Sequence, residues 1–153
     1  MPAYILTGAP GAGKTAVLRL LEVIGYPVIL ALQRRRREAA TDSVANSSVF
    51  FDRSPVCTLA LSRYLGFEPP ESLVRETGRV VAERTYETTV FFIRNQGSVR
   101  NTAARRISFE DSLDFERVHE KTYLDLGFRH AGGPAGPLAR RAAVIEQAIG
   151  QRA

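Results

Sequence analysis

A chain of 153 residues, 44% of them hydrophobic, has the length of one domain and enough apolar content to bury a sizeable core. No run is long or apolar enough to span a bilayer, and the lone cysteine, Cys57, excludes an internal disulfide framework. The net charge of +5 and the pI near 9.9 suit a polyphosphate ligand and equally a nucleic acid, but the arginines fall in separate predicted elements, so no continuous nucleic-acid stripe is evident. The chain enters an apolar strand almost at once. The expectation is a reduced, cytoplasmic protein with no signal peptide and no membrane partner.

Ala3–Thr7 is apolar and partly β-branched, as a buried parallel strand should be. It runs into Gly-Ala-Pro-Gly-Ala-Gly-Lys-Thr, Gly8 to Thr15, which fits G-x-x-x-x-G-K-[ST] at every fixed position. Thr15–Ile24 then has a helical apolar pattern that Gly25 can close. The motif therefore sits between a strand and a helix, the context a phosphate-binding P-loop requires. Gly8, Gly11 and Gly13 allow a tight turn that brings successive N–H groups against phosphate oxygens, and the helix N-terminus adds partial positive charge. On this reading the backbone of Gly8, Ala9, Pro10, Gly11, Ala12, Gly13, Lys14, Thr15 and Ala16 wraps the phosphates of ATP. Lys14 supplies a mobile charge for the outer phosphates, and the Thr15 hydroxyl is a ligand for Mg²⁺. No Asn-Lys-x-Asp sequence is present to read guanine, which tilts the base toward adenine.

Beyond the P-loop, a second strand starts between Gly25 and Leu32, and Gln33–Ala45 reads as a polar helix carrying Arg34–Arg37. Val49-Phe50-Phe51 is a short strand ending at Asp52. Pro55 is placed to open a helix, Val56–Leu65, that presents Leu59, Leu61 and Leu65 and stops at Gly66. After the Glu68-Pro69-Pro70 linker comes a helix over 71–84 with Leu73, Val74, Val80 and Val81 apolar, then a strand over 88–93. Residues 94–104 read as a loop. Ser108 to Asp111 has capping-box spacing and opens a long helix carrying Leu113, Phe115, Val118, Tyr123 and Leu126. The stretch 128–136 is a Gly/Pro-rich loop, and 138–149 a last helix. His119 reads as a surface or satisfied helix residue and His130 as a loop residue; neither has zinc-ligand spacing with cysteine. Strands alternating with helices predict an α/β layered fold with a parallel sheet.

Asp52 ends its strand, and ligands of open parallel sheets lie beyond the carboxyl ends of the strands. If that strand neighbours the P-loop strand, Asp52 faces the phosphates, where a carboxylate can hold a Mg²⁺ water or accept a proton from an attacking hydroxyl. Arg53 beside it can contact an anionic acceptor or the transferring phosphoryl group in bidentate fashion.

Phe-Phe-Asp-Arg-Ser-Pro (50–55) after a P-loop resembles the small single-domain AAA-family ATP-binding proteins, related in fold to nucleoside and nucleotide kinases. The segments 59–66, 90–93 and 105–112 with Phe115-Glu116 are similar too, so the resemblance covers most of the chain. It implies a three-layer P-loop NTPase fold, α/β and nucleotide-kinase-like, over 1–153, with the Asp52 strand beside the P-loop strand and a lid over about 94–108. It also implies that Arg105 or Arg106 swings over the phosphates and that Pro134, Ala135 and Gly136 form the loop beside adenine.

Two departures bear on the acceptor. Thymidylate kinases carry serine where this chain has Cys57. The family also usually has more chain between the first helix and the Asp-Arg strand, so the expectation is a missing segment near Ile29–Leu30. The function implied is Mg²⁺-dependent phosphoryl transfer from ATP to a small-molecule hydroxyl or phosphate acceptor. The alternative is an ATP-binding switch or weak ATPase acting on a protein or nucleic-acid partner.

Overall fold

The computed structural model describes residues 2–9, 12–24, 28–30, 48–94, 96–97, 108–132 and 135–150. The predicted helix over 33–45 with Arg34–Arg37 lies outside them, as do Pro10, Gly11, Arg105, Arg106 and Pro134.

Near-continuous apolar runs make the strands β1 (Ala3–Gly8), β3 (Val49–Asp52) and β4 (Thr89–Ile93), and each is buried on both faces. With β2 (Val28–Leu30) and β5 (Arg129–Ala131) they form one parallel sheet in the order β2-β3-β1-β4-β5. The P-loop strand is therefore central, flanked by β3 and β4.

Alternation of side chains across the strands divides the core in two. Tyr4, Leu6, Phe50, Phe91 and Ile93 face one side and pack on Val17, Leu18 and Leu21 of α1 (Lys14–Val23) and Ile145 of α5 (Leu138–Gly150). Tyr4, Phe50 and Phe91 meet there as an aromatic triplet with ring centroids 5.4–6.0 Å apart. Such pairs add about 0.5–1.5 kcal/mol each beyond their burial. Ile5, Val49, Phe51 and Val90 face the other side, against Val56 and Cys57 of α2 (Pro55–Leu65), Val80 of α3 (Glu71–Ala82) and Tyr123 of α4 (Phe109–Asp125). Helices cover both faces of a parallel sheet, so the fold is the three-layer α/β P-loop architecture. Among the described residues no helix is long and apolar enough to cross a membrane.

The helix ends follow the sequence signals. Pro55 opens α2 and Gly66 closes it in the left-handed region at φ 70°. Ser108 Oγ accepts the Asp111 N–H at 3.0 Å at the start of α4.

Three expectations are corrected. First, Leu59 is buried as expected but Leu61 and Leu65 are exposed, and α2 buries Val56, Cys57 and Ala60 in their place, because its sheet-facing stripe lies one residue away from those two leucines. Second, Val74 is exposed while Thr77 and Val80 are buried in α3. Third, the loop over 128–136 contains β5, whose Arg129, His130 and Ala131 pair with Thr89, Val90 and Phe91. Strand propensity there is overridden by the open edge of β4. β2 pairs across Ile29↔Phe51 and Leu30↔Asp52; the missing segment expected near Ile29–Leu30 would border residues 31–47, which lie outside the described residues.

Candidate functional site

β1 ends at Gly8, whose φ of 149° is a conformation other residues rarely adopt; a Cβ there would lie 2.2 Å from the Ile93 carbonyl oxygen. β1 and β4 can approach this closely only with glycine at the mouth of the P-loop. The chain then turns, with the Ala12 N–H donating to the Ala9 carbonyl at 3.2 Å, and enters α1 at Lys14. Lys14 is largely buried. Its Nζ donates to the Gly8 carbonyl at 3.0 Å and to the Ala9 carbonyl at 2.9 Å, so the ammonium is folded back across the loop. Thr15 and Ala16, on the first turn of α1, are exposed.

The expected neighbour relation holds: β3 lies beside β1, with Asp52 opposite Leu6. Asp52 thus ends its strand next to the P-loop strand, and among the described residues its Oδ1 is buried without a hydrogen-bond partner. Arg53 follows at φ 75°, strained for a side chain of this size, with its N–H on the Leu6 carbonyl at 3.3 Å and the residue itself exposed.

A buried polar network, missed in the sequence, holds this turn. Tyr123 OH lies 2.8 Å from Ser54 Oγ and 3.1 Å from Cys57 Sγ. Cys57 Sγ accepts the Ser54 N–H at 3.4 Å and lies 3.3 Å from Thr7 Oγ1. Thr7 Oγ1 in turn lies 3.0 Å from His119 Nε2. His119 Nδ1 is buried with no partner among the described residues. Leaving a lone pair unmatched costs less than leaving a proton, so the cheapest assignment puts the proton on Nε2. That tautomer makes His119 the donor to Thr7 and is compatible with protons pointing one way along the chain, from Thr7 to Cys57, Cys57 to Tyr123 and Tyr123 to Ser54, although either atom can donate in each of those three contacts. Cys57, expected to be a small apolar filler, is a joint in this chain as well as part of the core. His119, expected at the surface or satisfied, is 2% exposed.

In this network His119 and Tyr123 are neutral. Burial, then the charges of Lys14 and Arg53, push His119 down to about 3, so the imidazole carries no charge at ordinary pH. Burial also pushes the Tyr123 phenol well above its usual value.

Arg94 donates to Glu120 and, at 3.3 Å, to Glu116 on the middle turns of α4, while its guanidinium lies 5.0 Å from the Phe92 ring centre. Its hydrogen bond, then that of His130 at 3.0 Å, holds the Glu120 carboxylate down at about 2. These contacts anchor the start of the predicted lid segment. Gln96, just beyond, accepts the Gly136 N–H at 3.1 Å and donates to the Arg94 carbonyl at 2.7 Å. The loop expected beside the base is thereby tied to the segment after β4. Ala135 in that loop is exposed, and the Gly136 N–H is already engaged.

Signals for the missed residues existed in part. Ser112, Phe115, His119, Thr122 and Tyr123 share one helical face, but counting only apolar residues on that face hid its polar members.

The geometry defines a protein of the α/β P-loop fold. The sequence over residues 28–141 matches the AAA domain family, and the chain belongs to it. The P-loop itself precedes the matched span. No curated protein matches the sequence significantly. Among solved structures, YorR protein from Bacillus subtilis, in complex with phosphorylated GDP, is similar at 15% identity and a TM-score of 0.56, over 96% of this chain and 92% of that one. Deoxyadenosine kinase from M. mycoides with bound dATP is similar at 11% identity and a TM-score of 0.52, over 97% of this chain and 99% of that one. A putative polyphosphate kinase 2 from Pseudomonas aeruginosa is similar at 15% identity and a TM-score of 0.56, over 97% of this chain but only 37% of that one. At such identities the likeness is one of fold.

Proposed function

We propose that the protein is a single domain that binds ATP and transfers its terminal phosphoryl group to a small-molecule hydroxyl or phosphate acceptor. The observation that carries this reading is the register Leu6↔Asp52, which sets beside the P-loop strand a carboxylate whose buried oxygen has no partner among the described residues. The P-loop backbone and Lys14 hold the phosphates. Asp52 takes the proton of an acceptor hydroxyl as its oxygen bonds to the γ-phosphorus and the bridging P–O bond breaks, releasing ADP. Arg53, exposed at the same turn, clamps the acceptor or the transferring group.

The donor set also fits Mg²⁺. The exposed Thr15 hydroxyl and the orphaned Asp52 oxygen are hard oxygen ligands, and Mg²⁺ bound there would neutralise phosphate charge. The lid reading of 94–108, with Arg105 or Arg106 reaching the phosphates, and a base loop at Pro134, Ala135 and Gly136 belong to the same proposal. The residue types and the kinase-like fold support them.

The test is ATP consumption with Mg²⁺ across nucleosides, nucleotides and hydroxylated antibiotics, with Lys14→Ala as control. Stimulation by one acceptor, lost in the control, is the expected result. Asp52→Asn then lowers turnover by about 10²–10⁴ with ATP binding intact. ATP binding that no acceptor converts to turnover would instead favour a switch or weak ATPase with a macromolecular partner.

A further inference from the structure

α5 brings a second cation to the P-loop. Arg141, on its first turns, donates from Nη1 to the Ala12 carbonyl at 3.1 Å. The guanidinium lies against Gly13: a Cβ at that position would come within 2.9 Å of Nη1, 3.4 Å of Nη2 and 3.6 Å of Cζ. Gly13 is therefore glycine for two reasons, its φ of 81° and the room its missing side chain leaves for Arg141. Arg141 Nε is buried with no partner among the described residues, so the side chain gives up solvent to keep this position. In sequence Arg141 is simply the second of two adjacent arginines, Arg140 and Arg141.

We infer that Arg141 is a positioning residue of the phosphate site, acting through the peptide between Ala12 and Gly13; the inference rests on the nucleotide reading above. A trans peptide points its C=O and its following N–H in opposite directions. Holding the Ala12 carbonyl toward α5 turns the Gly13 N–H away from α5 and frees it for an anion. Lys14 performs a different task. It bonds the carbonyls of Gly8 and Ala9 at the entrance of the loop, and it must leave them to meet phosphate. The Arg141 bond lies outside that exchange and persists through it. Arg141 thus keeps one donor of the loop aimed before and after the ligand arrives, a preorganisation that lowers the cost of binding.

The experiment is calorimetric titration of ATP with Mg²⁺ into the wild-type chain, Arg141→Ala, Arg141→Met, Arg141→Lys and Arg140→Ala, with the ligand-free unfolding midpoint measured for each. Losing one charge-assisted bond that orients the site weakens binding about 10- to 100-fold in Arg141→Ala. Arg141→Lys, which keeps a single donor, recovers part of it. Arg140 is exposed, and its removal changes affinity by no more than about twofold. If Arg141→Ala folds poorly, Arg141→Met retains the apolar stem and carries the same expectation. The Gly13 amide resonance of the ligand-free protein shifts in Arg141→Met and stays in place in Arg140→Ala. Wild-type binding with undiminished affinity in the Arg141 variants overturns this inference and leaves the nucleotide reading standing. Equal losses in the Arg140 and Arg141 variants overturn it too, since they mean bulk charge rather than position. Absence of binding by the wild-type chain removes the nucleotide reading and this inference with it.

Discussion

Where β1 runs into α1, the site is shaped by backbone. Gly8 and Gly13 adopt positive φ, a Cβ at Gly8 would strike the neighbouring strand, and carbonyls of the loop are held by Lys14 and Arg141. Where β3 runs into α2, the site is shaped by side chains. Arg53 sits at positive φ although it is not glycine, and Ser54, Cys57 and Tyr123 surround the turn that contains it. The two regions carry backbone strain in different ways. One removes the Cβ that would make the conformation costly. The other keeps the side chain and holds the turn with a buried hydrogen-bond chain.

The comparison can be broken most directly at Gly8. Gly8→Ala adds a Cβ that would lie 2.2 Å from the Ile93 carbonyl oxygen, on backbone that cannot swing aside. It should cost about 3 kcal/mol or more, enough to abolish cooperative folding in a marginal domain. Circular dichroism with urea titration reads this. A variant that unfolds like the wild type would mean that β1 and β4 separate easily.

The side-chain region should yield less per change. Tyr123→Phe keeps the ring but removes the hydroxyl shared by Ser54 and Cys57, leaving their polar atoms buried. A loss of about 1–3 kcal/mol in urea unfolding is expected. No loss would show that the network is incidental to the fold.

The pH dependence sharpens the same point. His119 is held at about 3 against an ordinary value of 6.5, so the unfolded chain binds a proton that the fold refuses. Stability is complete above 6.5 and falls as pH drops toward 3, by about 2 kcal/mol at pH 5. Glu120, at about 2 against 4.5, adds a second loss that begins below 4.5. His119→Gln should flatten the higher-pH leg of the stability profile and leave the Glu120 leg in place. A profile unchanged by that substitution would contradict the burial of a neutral imidazole.

The smallest effect belongs to the surface pair Arg63–Asp125, 3.3 Å apart with both side chains about 40% exposed. Asp125→Asn should change unfolding free energy by less than about 1 kcal/mol. A larger change would indicate that α2 and α4 depend on their rim as well as on Tyr123.

The difference between the regions also explains what could be read from the chain alone. Contiguous residues specify the P-loop. The glycine spacing, the apolar strand before it and the helix pattern after it are all local, so the loop, the α/β class and most helix ends were legible. The Asp52-Arg53 turn was legible as a candidate because it ends an apolar run. Its neighbours were not, since Thr7, Ser54, Cys57, His119 and Tyr123 come together only when β1, α2 and α4 pack. His119 reads as either a surface or a satisfied residue because an apolar count cannot tell a buried satisfied polar group from a hydrated one. Arg141 was hidden for the same reason: its partner, Ala12, is contributed by the opposite end of the chain. Edge strand β5 needed β4 beside it before Arg129–Ala131 could be a strand at all. Local sequence thus determined the glycine-rich loop and the layered fold, through backbone conformations that only glycine and short-range periodicity encode. The tertiary structure alone decided which polar side chains leave water, because that choice depends on whether a distant partner is there to receive their hydrogen bonds.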